Sequence, residues 1–254
     1  MRIAVAGGTG TVGQHVVEAV WAAGHQAVVL SRGTGVDVRD GTGLAAALDG
    51  VDVLVDTLGP SSSRRAAAQA FFTTTSWRLQ EAATRAGVRH IVLLSILGLE
   101  RVPGYGYYRA KLAQERTVTE GLVPATILRA AQFYEFAGQM VRATRRGPLA
   151  LVPKMRSQPV AARTVAEHLV RLADAQPGGR HELAGPEVHD IPELAHRLVA
   201  ARGERVHVVG FSFPGQVGRQ LRSGAIVPPP GTVTDGPPFT TWLTDSDACR
   251  LPLS

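Results

Sequence analysis

The stretch IAVAGGTGTVGQHVVEAV, residues 3–20, decides the fold of this 254-residue chain. A short β-branched run, residues 3–6, leads into a glycine-rich loop, and apolar residues at helical spacing follow the loop. Between a strand and a helix, glycines permit a tight turn, close approach of the backbone to a pyrophosphate, and close helix–strand packing. A glycine-rich turn without a ligand is the alternative. The stretch predicts a phosphate-binding loop made of Gly7, Gly8, Thr9, Gly10, Thr11, Val12 and Gly13, with the glycines fitting either G-x-G-x-x-G or G-x-x-G-x-x-G.

Strand and helix patterns alternate beyond this loop through the first half of the chain. Strands are predicted at residues 3–6, 27–30, 51–55, 90–94 and 125–128, and helices at residues 11–23, 44–48, 63–86 and 107–120. This alternation implies right-handed crossovers and a parallel sheet covered on both faces. The predicted fold is α/β: a doubly wound Rossmann domain over residues 1–145 and a smaller substrate-binding part over residues 146–254, whose segments can interleave with the first.

The second half shows weaker alternation and more proline and glycine. Helices are predicted at residues 164–173 and 192–201. Residues 224–238 are predicted to form an ordered surface loop or lid, and residues 239–243 to anchor the tail.

Composition excludes several classes of function. The formal charge is +6, but the 25 arginines are scattered and only Lys111 and Lys154 are lysines, so we expect an anionic cofactor and no nucleic acid. Cys249 is the only cysteine and the histidines lack metal-site spacing, so no disulfide and no metal are expected. The apolar run at residues 91–99 is too short to span a bilayer, so no membrane partner is expected. The single cysteine fits a reducing compartment, and we expect a cytoplasmic monomer or homodimer.

The end of the second predicted strand indicates the choice of cofactor. NAD enzymes usually carry an acid there to hold the adenosine ribose, but this chain has Ser31 and Arg32. A guanidinium can bind a 2′-phosphate, and no carboxylate is expected beside it, so NADP(H) is predicted over NAD(H). A surface role for Arg32 is the alternative. The further predicted cofactor contacts are Asp37 and Val38 near the adenine, and Thr57, Leu58, Gly59 and Lys111.

Tyr107 and Lys111 stand four residues apart on one face of a predicted helix. A free tyrosine has a pKa of about 10, and a nearby ammonium favours the phenolate. Tyr107 would then exchange a proton with a substrate oxygen during hydride transfer, while Lys111 also bonds the nicotinamide ribose and Ser95 bonds the same substrate oxygen. Core packing of Tyr107 with a solvated Lys111, and a merely structural Ser95, are the alternatives.

Together these residues resemble the short-chain dehydrogenase/reductase superfamily, in particular its atypical, NmrA-like NAD(P)-binding branch. The resemblance implies a cofactor role for the glycine loop and catalytic roles for Ser95, Tyr107 and Lys111. Thr164 stands where many relatives have aspartate. The similarity rests on GGTGTVG at 7–13, LSRG at 30–33, LLSILGLERVP at 93–103, YYRAKLAQE at 107–115 and TILRAAQFYEF at 126–136, and continues more loosely through HELAGPE at 181–187 and FTTWL at 239–243.

Gln132, Phe133 and Tyr134 follow a predicted strand end, where they would either receive a flat, aromatic substrate or pack in the core. The leading hypothesis is an NADPH-dependent reductase of a ketone, quinone or related carbonyl. An NADP(H)-sensing regulatory protein and an isomerase or epimerase with bound cofactor are the alternatives.

Overall fold

The computed structural model describes residues 1–60 and 65–245. The predicted helix start at residue 63 and Cys249 lie outside these residues. The strands are β1 (Arg2–Ala6), β2 (Gln26–Leu30), β3 (Val53–Asp56), β4 (His90–Ile96), β5 (Ala125–Ala130), β6 (Leu149–Pro153), β7 (Arg156–Ser157), β8 (Arg180–Ala184), β9 (His189–Asp190), β10 (His207–Phe211) and β11 (Val233–Thr234). The helices are α1 (Gly13–Ala22), α2 (Leu44–Ala47), α3 (Arg65–Ala86), α4 (Gly106–Thr119), α5 (Tyr134–Thr144), α6 (Ala162–Asp174), α7 (Ile191–Ala201), α8 (Gly215–Arg222) and α9 (Phe239–Thr244).

Seven strands form a parallel sheet in the order β11-β8-β5-β4-β3-β1-β2. This is the predicted Rossmann-like α/β fold. Because β1 lies between β2 and β3, the chain reverses its direction across the sheet there, and open α/β sheets bind ligands at the carboxyl ends of strands beside such a reversal. The register pairs Ala6 with both Leu30 and Asp56, so these three strands end level with one another.

The first compact unit comprises residues 1–96, 106–129 and 165–181. It contains the strands and helices that the alternating sequence patterns predicted. The helical spacing that predicted α1 buries Val16, Val17 and Val20. One face of the sheet buries Ala4 and Leu54 in a cluster with residues of the connecting segments and α3. These apolar contacts keep the carboxyl ends of β1, β2 and β3 together.

The second unit comprises residues 97–105, 130–164 and 182–254, of which the part up to 245 is described. Strands β6 and β10 pair in parallel, and α5 and α7 pack against β6. Strands β7 and β9 form a short antiparallel pair. Along the chain the two units alternate.

The prediction of a continuous loop over residues 224–238 was wrong in part. Val233 and Thr234 form β11, which pairs in parallel with Leu183 and Ala184 of β8. A two-residue strand flanked by proline and glycine is too short to produce a periodic pattern, so only the tertiary pairing reveals it.

Within residues 1–60 and 65–245, no helix combines the length and the apolar character needed to span a bilayer.

Candidate functional site

A cleft of about 390 Å³ lies at the carboxyl ends of β1, β2 and β3, a volume typical of small-molecule sites. The backbone holds these ends together, since Gly7 N–H donates to the Leu30 oxygen at 3.2 Å and Thr57 N–H to the Ala6 oxygen at 3.0 Å. Ten of the predicted cofactor contacts line the cleft: Gly7, Thr9, Gly10, Ser31, Arg32, Asp37, Val38, Thr57, Leu58 and Gly59. Gly8, Thr11, Val12, Gly13 and Lys111 are not among its lining residues.

Two glycines give the loop its shape. Gly7 has a φ of +80°, a backbone conformation that residues with a Cβ atom rarely adopt. A Cβ on Gly13 would collide with the backbone carbonyl of Gly7, so glycine is needed where the loop enters α1. The conformation therefore favours the G-x-x-G-x-x-G interpretation. Val12 occupies the N-cap of α1 and makes no side-chain hydrogen bond to the first turn, which leaves that end suited to an anion.

The segment after β2 corrects one sequence inference. No carboxylate was expected beside Arg32, but Asp37 lines the same cleft, and the Arg32 charge contributes to lowering the Asp37 pKa. The chain turns back here, because Val36 N–H donates to the Ser31 oxygen at 2.9 Å. This turn brings Arg32 and Asp37 to the same cleft.

Arg39 compensates the charge of Asp37. Its backbone N–H and its Nε donate to Asp37 Oδ1 at 2.9 and 3.0 Å. These hydrogen bonds are the main cause that lowers the Asp37 pKa to about 2. The cleft thus presents Arg32 and Arg39 around one neutralised carboxylate.

Tyr107 and Lys111 lie one turn apart on α4, and both contact Phe72 of α3. The Tyr107 ring meets the Phe72 ring edge-on at 5.7 Å between centroids, and Lys111 Nζ lies 4.8 Å from the Phe72 centroid. Tyr107 is half-buried, whereas Lys111 is only 5% exposed. Phe72 therefore holds both side chains on the same side of α4, and its neighbour Phe71 lines the cleft.

Lys111 is the first member of a buried hydrogen-bonded chain. Its Nζ donates to Gln114 Oε1 at 2.6 Å, and Gln114 Nε2 donates to Asp56 Oδ2 at 3.0 Å. Burial lowers the pKa of Lys111 to about 8, although the charges of Asp56 and Glu115 oppose this shift. Burial also raises the pKa of Asp56. Since a pKa of about 8 lies above neutrality, Lys111 is predominantly an ammonium at pH 7.

Ser95 lies next to the last residue of β4. Leu93 is in register with Asp56, so Ser95 projects beyond the end of β3 on the same edge of the sheet. Its side chain is 1% exposed, and within residues 1–60 and 65–245 its Oγ finds no hydrogen-bond partner. A buried hydroxyl without a partner is costly, which suits a position that meets a ligand.

The predicted substrate residues belong to the second unit. Gln132 and Phe133 are half-buried just before α5. Tyr134 is fully buried, packs against Phe239 and Trp242 at centroid distances of 5.2 and 5.3 Å, and donates its hydroxyl to the Pro237 oxygen at 3.1 Å. For Tyr134 the structure therefore corresponds to the core-packing alternative, because an aromatic cluster of its own unit surrounds it.

Sequence reasoning missed four residues around this site. None of Phe72, Arg39, Asp56 and Gln114 was predicted to belong to the site. The only sequence signal was position: Asp56 ends a strand at the carboxyl edge, and Gln114 follows Lys111 by three residues, which places it on the same helix face.

A family model described as NAD(P)H-binding matches residues 7–176, about two thirds of the chain. The chain belongs to this NAD(P)H-binding family. The match covers the glycine loop, the segment after β2, and α4 with Tyr107 and Lys111. No curated protein matches the sequence.

Solved structures share the fold of this NAD(P)H-binding protein at low sequence identity. MoeE5, in complex with UDP-glucose and NAD, is 19% identical with a TM-score of 0.74, and the match covers 100% of both chains. A short-chain dehydrogenase/reductase superfamily protein from Agrobacterium tumefaciens with bound NAD is 19% identical, with a TM-score of 0.68 and coverage of 98% of this chain and 97% of that one. The dTDP-4-dehydrorhamnose reductase of Bacillus anthracis in complex with NADP is 14% identical, with a TM-score of 0.65 and coverage of 95% and 92%.

The residues present fit an NAD(P) dinucleotide. Gly7 and Gly13 leave room where a Cβ would intrude, and the start of α1 offers the positive end of a helix dipole to phosphates. Ser31, Arg32, Asp37 and Val38 line the part of the cleft that follows β2. Family membership and cleft chemistry therefore agree on a cofactor of this type.

Proposed function

We propose that this protein is an NADPH-dependent reductase of a small ketone, quinone or related carbonyl. The observation that carries the proposal is that Tyr107 and the buried Lys111 both contact the Phe72 ring of α3, and that the neighbouring Phe71 lines the cleft. Short-chain reductases use such a pair for proton transfer. The proposed catalytic residues are Tyr107, Lys111 and Ser95.

Each side chain has a defined task in this proposal. When bound, the dinucleotide supplies the hydride that the carbonyl carbon accepts. The Tyr107 hydroxyl donates a proton to the carbonyl oxygen, so that an alcohol results, and the phenolate left behind is stabilised by the Lys111 ammonium. The buried Ser95 hydroxyl donates a hydrogen bond to the same carbonyl oxygen and orients it. Reprotonation of Tyr107 from solvent completes the cycle.

The preference for NADPH is supported by the charges at the end of β2. Arg32 is exposed beside the cleft, and Arg39 neutralises Asp37, the carboxylate that lines the cleft. A 2′-phosphate would meet two guanidinium groups there. A hydrogen bond to a charged group contributes about 1.5–3 kcal/mol, so Arg32→Ala should weaken NADPH binding by roughly tenfold to a hundredfold.

The first test is fluorescence titration of wild type and Arg32→Ala with NADPH and NADH. We expect weaker NADPH binding in Arg32→Ala and unchanged NADH binding, because only NADPH carries the 2′-phosphate. Arg116→Ala, an exposed arginine on α4 away from the cleft, is the control and should bind both cofactors as wild type does. Equal losses for both cofactors would contradict the NADPH preference.

The second test is NADPH oxidation with a panel of ketones and quinones on wild type and Tyr107→Phe. We expect turnover in wild type and a loss of at least a hundredfold in Tyr107→Phe with cofactor binding retained, since general acid catalysis contributes about 10²–10⁴-fold. Tight NADPH binding without turnover would favour the sensor alternative. Product formed without net NADPH consumption would favour an isomerase or epimerase.

A further inference from the structure

We propose that Gln114 is a positioning residue, which holds the Lys111 ammonium through its side-chain oxygen and is itself oriented by the buried carboxylate of Asp56. This inference rests on the proposed function, because it explains how Lys111 is kept ready to support Tyr107. It assigns roles to two residues outside the tyrosine–lysine pair.

The geometry of the chain is the first argument. The donor–acceptor distances are 2.6 Å from Lys111 to Gln114 and 3.0 Å from Gln114 to Asp56. Gln114 is 0% exposed and Asp56 is 1% exposed. Asp56 is further held by the Leu58 backbone N–H, which donates to its Oδ1 at 2.9 Å. Since Leu58 lines the cleft, the anchor of the chain is part of the same turn that forms the cofactor site.

The polarity of the amide is the second argument. An ammonium has only donors, so it requires Gln114 Oε1, and an ionised carboxylate has only acceptors, so it requires Gln114 Nε2. A flipped amide would place N–H groups against the ammonium and the oxygen against the carboxylate. Asp56 therefore selects the single orientation of Gln114 that accepts a hydrogen bond from Lys111.

The surrounding charges are the third argument. Lys111 is approached by the Phe72 ring from α3, by the Asp56 charge from β3, and by Glu115 from its own helix. Glu115 is already engaged by Arg129 of β5 through two hydrogen bonds, of 2.9 and 2.6 Å. Asp56, by contrast, reaches Lys111 through the Gln114 amide. Two hydrogen bonds thus link the Asp56 carboxylate to the Lys111 ammonium through Gln114. Gln114 uses one of the three N–H donors of the ammonium, which leaves two for other partners.

The low lysine content provides a direct readout. The chain has two lysines, Lys111 and Lys154, so a protein labelled with [6-¹³C]lysine gives two lysine signals in NMR spectra, and exposed Lys154 is an internal reference. Titration of the Lys111 signal in wild type, Gln114→Met and Asp56→Asn measures how each residue supports the ammonium. The protein needs neither substrate nor turnover for this measurement.

We expect the Lys111 pKa to fall by about one unit in Gln114→Met, a tenfold drop in the ratio of ammonium to amine at fixed pH. Asp56→Asn should lower it too, because the amide removes the negative charge but keeps the shape. With a substrate found as above, the alkaline limb of the kcat profile should move to lower pH by the same interval. Gln114→Glu keeps an oxygen that accepts from Lys111 but loses the N–H donor to Asp56, so its added negative charge should hold the Lys111 pKa at the wild-type value or above it.

Gln80→Met is the matched control. Gln80 is also a buried glutamine of the first unit, but it donates to the Val118 oxygen at 2.8 Å and does not contact Lys111 in the described contacts. Its loss should destabilise the protein without moving the Lys111 signal. An unchanged Lys111 pKa in both Gln114→Met and Asp56→Asn, or an equal shift in Gln80→Met, would overturn the inference. A titration as expected without any carbonyl turnover would refute the reductase assignment alone.

Discussion

Replacing Glu115 by glutamine tests the anchor of the helix that carries the proposed catalytic pair. Glu115 on α4 forms an ion pair with Arg129 on β5, with donor–acceptor distances of 2.9 and 2.6 Å. Their side chains are 4% and 5% exposed. In Glu115→Gln the Arg129 guanidinium stays buried and loses the carboxylate that binds it through two parallel hydrogen bonds.

The expected cost follows from this burial. Removing one partner of a buried pair costs about 3–5 kcal/mol. For a chain of this size a change of 1 kcal/mol moves the melting temperature by roughly 2–4 °C, so Glu115→Gln should melt about 6–20 °C below wild type. Arg129→Met should cost less, because Glu115 retains Arg180 at 3.9 Å, whose side chain is 52% exposed.

Thermal and urea unfolding followed by circular dichroism measure these differences. The double variant Glu115→Met with Arg129→Met should recover most of the loss, since replacing both partners by apolar side chains of similar volume is often neutral or stabilising. Glu81→Gln is the control, because its exposed pair with Arg85 contributes only about 0.3–0.5 kcal/mol. A Glu115→Gln variant within 1 kcal/mol of wild type in stability would refute the reasoning that burial makes this pair expensive to break.

Three further predictions concern the glycine loop and the buried lysine. Gly13→Ala should abolish NADPH binding in fluorescence titrations, since the new methyl group collides with the Gly7 carbonyl, while Gly33→Ala, with only a contact of 3.7 Å, should bind normally; normal binding by Gly13→Ala would contradict the loop geometry. Between about pH 8 and 10.5 unfolded Lys111 holds a proton that the folded state does not, so stability should rise with pH in urea unfolding, and Lys111→Met should lose that part of the rise; an identical slope in the variant would exclude the shift. Lys111→Met should also deprive the buried Asp56 of the positive charge that favours its ionised form, so adding Asp56→Asn should raise the melting temperature again, and a further fall would argue against the coupling.

Local patterns in the sequence were sufficient to predict β1 through β5 and the helices between them. The spacing of Val16, Val17 and Val20 predicted the buried face of α1, and the β-branched runs predicted strands within one or two residues of β1 through β5. These predictions depend on neighbours along the chain, whose periodicity reflects which face is buried. The strands β6 through β11 were not predicted, and the two-residue β7, β9 and β11 are too short to show a period of their own.

The cofactor site was predicted in part. Ten of the predicted contacts line the cleft because the carboxyl ends of parallel strands share one edge of the sheet, and chain order alone indicates which residues follow those ends. The charge environment of Arg32 was not predictable in this way. A turn of the backbone places Asp37 near Arg32. Arg39 donates hydrogen bonds to the Asp37 carboxylate and neutralises its charge.

The sequence by itself determined the α/β architecture, the glycine loop and the placement of Tyr107 and Lys111 on one helix face, because each depends on residues close together in the chain. The tertiary structure alone decided that Lys111 is linked to Asp56 and packed against Phe72. Gln114 and Asp56 are 58 residues apart in sequence, and Phe72 reaches the pair from a separate helix. Contacts between such distant residues arise only when α3, α4 and β3 pack together, and burial by that packing is what shifts the pKa of Lys111.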